Sequence, residues 1–170
     1  SPPTTKLTFF FFLFSGMYIL IFIMKKFEDL KVGLTNKSRT SVVELEEMLD
    51  WAKKYDPQWF HADPEAAKTS IFGEIISSGI YTAALWRKLD HEINGDIDFI
   101  CGVAWKETRW PNALRAGDII YASSEVIEKR DSKTHKDRGI ITFRYGLHNQ
   151  HNQLVFSCDS INLIRRHSPS

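Results

Sequence analysis

The 170-residue chain sets 22 Lys plus Arg against 21 Asp plus Glu, a net charge of +1, which leaves no electrostatic footprint for nucleic acid. Hydrophobic residues at 43% and charged residues at 25% are those of a globular protein long enough to bury a core. Cys101 and Cys158 form no CxxC pair, which excludes a zinc-type metal motif or a disulfide framework and reads as two small core residues in a reducing compartment.

The chain begins with an apolar stretch. From Leu7 to Met24, LTFFFFLFSGMYILIFIM carries no charge, with Lys6 before it and Lys25-Lys26 after it. About 20 apolar residues span a bilayer, so a membrane anchor is one reading. A signal peptide is a second, although no small-residue cleavage site follows. The third is an artefact of start-site choice, since composition changes abruptly at Met24. Residues 1–23 are therefore set apart as an extension and 24–170 as the folded domain. The expected location is the cytoplasm, or a membrane surface if residues 7–24 are genuine.

Residues 41–54 predict a helix, with capping-box spacing at Ser41 and Glu44 and an apolar face of Val42, Leu45, Leu49 and Ala52. Asp56 precedes Pro57, which ends that helix near Tyr55. A loop over 56–62 follows. Asp63-Pro64-Glu65 reads as an N-cap and first turn of a short helix over Pro64–Lys68. Residues 78–91 predict an apolar helix largely surrounded by other structure.

Four segments beyond Ile97 are rich in β-branched and aromatic residues: 99–110, 118–130, 138–150 and 153–166. Ile141, Phe143, Tyr145 and Leu147 alternate with polar or small residues, as in a half-buried strand. Turns are predicted at Ala116-Gly117-Asp118 and Asn149–Asn152. Helices first and long strands after imply an α+β fold, with one antiparallel sheet covering one apolar helix.

The segment that can carry chemistry is Asp56-Pro57-Gln58-Trp59-Phe60-His61. On a regular helix a carboxylate and an imidazole five positions apart point about 140° apart. They converge only if the chain folds around Pro57. A converged pair can hold one water and move its proton; a turn-capping Asp beside a surface His is the plain alternative. Ser77-Ser78-Gly79 then opens the apolar helix, where free backbone N–H groups suit a developing oxyanion.

The stretch YDPQWFHADPEAAKTSIFGEIISSGIYTAAL resembles the signature of MaoC-like acyl dehydratases and (R)-specific enoyl-CoA hydratases. The resemblance runs through D-x4-H, D-P-E-x-A-K, Phe72-Gly73 and the glycine that opens the central helix. GVAWKETRWPNALRAGDIIYASSEVIEKR extends it, so that it covers about Phe27 to Arg165. It implies a hotdog fold, a long antiparallel sheet wrapped around a central helix, and a homodimer or higher homo-oligomer. The implied activity is reversible hydration of a trans-2-enoyl-CoA to a 3-hydroxyacyl-CoA, with no cofactor beyond the thioester substrate. By the same resemblance Asp56 and His61 are catalytic, Gly79 supplies the oxyanion N–H, and Ser78, Trp59, Tyr81 and Phe72 border the substrate. Gln58 and Trp59 depart from the Asn and Pro usual in the hydratases, which narrows the expected entrance and leaves the acyl group open. A hotdog acyl-CoA thioesterase and a non-catalytic acyl-CoA-binding hotdog are the alternatives. Arg109 and Arg115 are candidates for CoA phosphates or plain strand-end charges.

Overall fold

A computed structural model of the chain describes residues 13–14, 17–18 and 24–168. Most of the apolar stretch from Leu7, and with it the choice between anchor and start-site artefact, lies outside the described residues. Strands β1 (Leu13–Phe14) and β2 (Met17–Tyr18) pair antiparallel. No helix among the described residues is long and apolar enough to cross a membrane.

From Met24 on, the order is a 3-10 turn at Phe27–Asp29, then β3 (Thr35–Lys37), β4 (Ser41–Val42), α1 (Leu45–Tyr55), α2 (Trp59–Ala62), α3 (Pro64–Ala67) and α4 (Gly79–Asn94). The long strands β5 (Phe99–Arg109), β6 (Ile119–Asp131), β7 (Arg138–His148) and β8 (Leu154–Arg165) follow. They form an antiparallel sheet in the order β3-β6-β7-β8-β5, with β4 also on β6. The sheet wraps around α4, which is the α+β hotdog arrangement. The alternating side chains of β7 meet the expectation from the sequence: Ile141, Phe143, Tyr145 and Leu147 are all buried.

Trp86 stands at the centre of α4 and is 1% exposed. Its ring lies 4.8 Å from Tyr145, 5.2 Å from Phe156 and 5.4 Å from Trp105, so it joins the helix to three strands. A polar anchor lies one turn further along. Asp90 is fully buried, pairs with Arg87 and accepts from Asn94 Nδ2 at 2.7 Å. Asn94 Nδ2 also lies 3.0 Å from Ser124 Oγ, and Asn94 Oδ1 accepts from Asn36 at 3.1 Å. Burial pushes the Asp90 carboxyl up, against the opposing effect of its donors.

Four expectations are corrected. Ser41–Val42 is strand rather than helix, so the capping box does not form and α1 begins at Leu45. The β-branched residue Val42 is drawn into pairing with Ile119, and Val43 N donates to Asp118 O at 2.9 Å. The α1 face turned to the core is Met48 and Ala52; Val42 and Leu45 are exposed. Cys101 is exposed on β5, whereas Cys158 is buried as expected. The short helix α2 also replaces part of the predicted loop over 56–62.

Candidate active site

Pro57 and the end of α1 place Asp56 first. Asp56 is the C-cap of α1, its N–H bonded to Ala52 O at 2.9 Å. The chain then turns, and Gln58 caps the four-residue helix that carries His61. This turn achieves the convergence that spacing alone does not guarantee: His61 Nε2 lies 3.9 Å from Asp56 Oδ2. That gap is too long for a direct hydrogen bond.

Each group is held by named partners. Ser78 Oγ donates to Asp56 Oδ2 at 2.6 Å, and Gln58 Nε2 donates to Oδ1 at 3.0 Å. These bonds, Ser78 first and Gln58 second, hold the Asp56 carboxyl below its ordinary range; the nearby His61 adds to them, and burial opposes. His61 is 7% exposed and its Nδ1 lies 2.8 Å from Ile76 O. A carbonyl only accepts, so Nδ1 carries the proton of the neutral ring and Nε2 faces Asp56 as an acceptor. Two acceptors therefore confront each other across the gap.

Gly79 is the first residue of α4, and Ser78 is its N-cap by position. The Ser78 side chain makes no cap bond, because its hydroxyl is given to Asp56. The first-turn N–H groups of the helix are thus left for another acceptor, at the positive end of the helix dipole. Asp56, His61, Ser78 and Gly79 all meet along one short segment, residues 76–79.

The remaining predicted residues sit around this cluster. Trp59 is 48% exposed and meets Phe60 edge-on at 5.3 Å. Phe60 in turn lies 4.5 Å from the His61 ring and 6.2 Å from Phe72. Trp59 and Phe72 are thus exposed aromatics packed on Phe60, and it is Phe60 that lies against the imidazole. Tyr81 goes elsewhere: its buried ring packs on Trp51 of α1 at 5.6 Å, and burial pushes its phenol up. Arg115 pairs with Glu74 and Arg109 with Glu107, so both carry a neutralising partner. A cavity of about 830 Å³ lies on the outer face of the sheet, between Lys37 and Arg109, and contains neither Asp56 nor His61. Convergent polar groups outweigh cavity size as a guide to chemistry here, because among the described residues the Asp56 cluster brings a carboxylate and an imidazole together beside a helix N-terminus.

Sequence reading missed three partners: Gln58 as a donor to Asp56, the Ile76 carbonyl that sets the His61 tautomer, and Trp110. Trp110 Nε1 donates to Gly79 O at 2.8 Å. Backbone carbonyls leave no sequence signal, and Trp110 is 31 residues away from its acceptor.

Replacing Ser78 by Ala is expected to raise the Asp56 titration midpoint, because it removes the largest cause of the depression. The folded Asp56 pKa lies below its unfolded value, so its contribution to stability is present above the unfolded value and is lost as pH falls through the folded one. In the Ala variant the contribution is smaller and its loss is complete at higher pH, because the folded value lies closer to the unfolded one. Carboxyl-carbon NMR titration checks it, and an unmoved or lowered midpoint contradicts it.

Known proteins share this frame. "Uncharacterized protein YdeM" of Bacillus subtilis (strain 168) is 29% identical over 143 residues, covering 83% of this chain and 99% of that protein. "3-hydroxyacyl-thioester dehydratase Z" of Mycobacterium tuberculosis (strain ATCC 25618 / H37Rv) is 30% identical over 79 residues, 45% of this chain and 52% of its own length. The crystal structure of a MaoC-like dehydratase from Rhodospirillum rubrum superposes with a TM-score of 0.78 at 31% identity, covering 85% of this chain and 99% of that one. The family model described as MaoC like domain matches residues 31–142, a span that holds Asp56, His61, Ser78 and Gly79 together with α4 and β5, and the chain is a member of that family.

Proposed function

We propose that the chain catalyses the reversible hydration of a trans-2-enoyl thioester, with a CoA ester as the first candidate, to the 3-hydroxyacyl thioester. The observation that carries the reading is the pair of acceptors, Asp56 Oδ2 and His61 Nε2, 3.9 Å apart beside the open N-terminus of α4. Two facing acceptors need a donor between them. A water satisfies both, giving one hydrogen to each and turning a lone pair outward.

The chemistry then follows. The thioester oxygen accepts from Gly79 N–H, which draws electron density from C3. The water oxygen bonds to C3 as one member of the pair takes a proton. The C2–C3 π electrons move to an enolate whose oxygen lies on the Gly79 N–H. The proton then passes to C2. Ser78 and Gln58 hold the Asp56 carboxylate ionised, so it can accept a hydrogen bond from the water, and the same bonds weaken it as a base, which leaves His61 Nε2 to take the proton. No cofactor takes part. Membership of the MaoC like family supports this reading, as does the name of the dehydratase relative.

Thioester hydrolysis is less well supported. Its sequence argument needs a carboxylate on the central helix, and Asp90 is fully buried and bound by Arg87 and Asn94. A homodimer belongs to the same proposal. Among the described residues β5 pairs with β8 alone, which leaves its other edge, beside exposed Val103 and Trp105, to meet a second copy.

The test is a series of trans-2-enoyl-CoA esters of increasing chain length. Loss of the conjugated-enoyl absorbance, with a product heavier by one water, is the expected result. Release of free CoA with the double bond intact, or acyl-CoA binding without product at any length, would refute it.

A further inference from the structure

Residues 74–79 form a rib with a loop on each flank. On one flank Ile76 N donates to Phe60 O at 3.3 Å, Ile76 O meets His61 Nδ1 at 2.8 Å, and Ser78 Oγ reaches Asp56 at 2.6 Å. On the other flank the loop 110–115 runs alongside in the opposite direction. Arg115 pairs with Glu74, Ser77 N donates to Leu114 O at 2.8 Å, and Trp110 Nε1 donates to Gly79 O at 2.8 Å. The loop thus holds the rib from behind while the rib presents its other side to Asp56 and His61.

Trp110 is the part of that loop nearest the proposed oxyanion site. Its indole fills the space that a side chain at residue 79 would take. A Cβ on Gly79 would lie 3.2 Å from both Nε1 and Cε2 of the ring. The ring rests in turn on Phe156 at 5.5 Å, and Phe156 lies 5.2 Å from Trp86, which belongs to α4 itself. A closed path therefore runs from the first turn of α4 through Trp110 and Phe156 back to the middle of the same helix. Phe156 and Trp86 are buried, so the far end of this path is fixed by the core. Pro111 follows Trp110 and holds the preceding residue in extended backbone, which favours one approach of the ring.

We infer that Trp110 is a positioning residue: its hydrogen bond to the Gly79 carbonyl and its packing against the Gly79 Cα set the direction of the Gly79 N–H. This rests on the hydratase reading for its catalytic consequence, though not for the clamp itself. It also gives residue 79 a reason to be glycine. The glycine admits the indole, and the indole replaces the stiffness that a side chain would have supplied. An interaction that strengthens only as the oxyanion develops affects turnover and not ground-state binding. Displacement of such a donor by about 1 Å costs on the order of 100-fold in rate, and loss of one of several restraints costs less.

The experiment uses the full chain with Trp110→Phe, which keeps a ring and loses the N–H, and Trp110→Ala, which loses both. Two readouts are taken. The first is amide hydrogen exchange at Thr82 and Ala83, whose bonds close the first turn of α4. In the Phe variant their exchange is expected to be about three- to tenfold faster, the equivalent of one lost hydrogen bond. The second is turnover of the enoyl thioester that the wild type accepts: kcat falls by about tenfold in the Phe variant while KM stays within about twofold. A residue that only fills the core would lower Tm without that split. Should the Ala variant fail to fold, the Phe variant decides alone. Unchanged exchange in the Phe variant, or unchanged kcat in an active enzyme, overturns the inference. If the wild type hydrates no thioester, the hydratase reading fails, and the exchange experiment still tests the clamp.

Discussion

Replacing Asp56 by Asn is expected to lower kcat by about 10²- to 10⁴-fold with little change in Tm. The substitution is nearly isosteric. The amide oxygen still accepts from Ser78, so the turn around Pro57 keeps its shape. What it loses is basicity, the negative charge that faces His61 Nε2, and the bond from Gln58 Nε2, since the amide nitrogen that replaces Oδ1 cannot accept. His61→Ala removes the other acceptor and is expected to cost a similar factor. Because both groups act on one water, the double variant should be scarcely slower than the worse single one. Steady-state rates for the three variants check this. Additive losses would mean that the residues act independently, and full activity in Asp56→Asn would remove the carboxylate from the mechanism.

The second large effect is on stability. Trp86→Ala is expected to cost about 3–5 kcal/mol, the range for deleting a large buried aromatic. In a chain of this size that lowers Tm by about 10 °C or more. The cause is specific. Trp86 joins α4 to β5, β7 and β8 through Trp105, Tyr145 and Phe156, and no single neighbour can fill the space it leaves. Ile80→Ala on the same helix provides the contrast. Ile80 is 61% exposed, and its loss should change stability by no more than about 0.5 kcal/mol. Thermal melts followed by circular dichroism compare the two. Similar small losses for both would mean that the sheet does not close around α4.

The long strands and α4 were legible because their patterns run over many residues. β7 alternates cleanly, and both predicted turns sit where Gly117 and Asn152 adopt positive φ. The short elements were not legible. Thr35–Lys37 has no apolar alternation and becomes a strand only because β6 offers it a partner. Ser41 and Glu44 satisfied a helix-start pattern that pairing to Ile119 and Ile120 overrode. At the candidate site, residue types were readable while their geometry was not. Asp56, His61 and Gly79 stood out through ordered motifs. The tautomer of His61, by contrast, depends on a backbone carbonyl, and the Gly79 carbonyl is bonded by a tryptophan just past the end of β5. Tyr81 shows the converse: its place two residues past Gly79 suggested the pocket, yet α1 covers it.

The central claim is that Asp56 and His61 hold a water opposite the Gly79 N–H and add it across an enoyl thioester. Its most direct test is the reaction of the wild-type chain and Asp56→Asn with a trans-2-enoyl-CoA in ¹⁸O-labelled water, followed by mass spectrometry of the intact thioester. Labelled 3-hydroxyacyl-CoA from the wild type, and almost none from the variant, is the result expected. Label in a released carboxylic acid, or equal labelled hydroxyacyl product from both proteins, would contradict it.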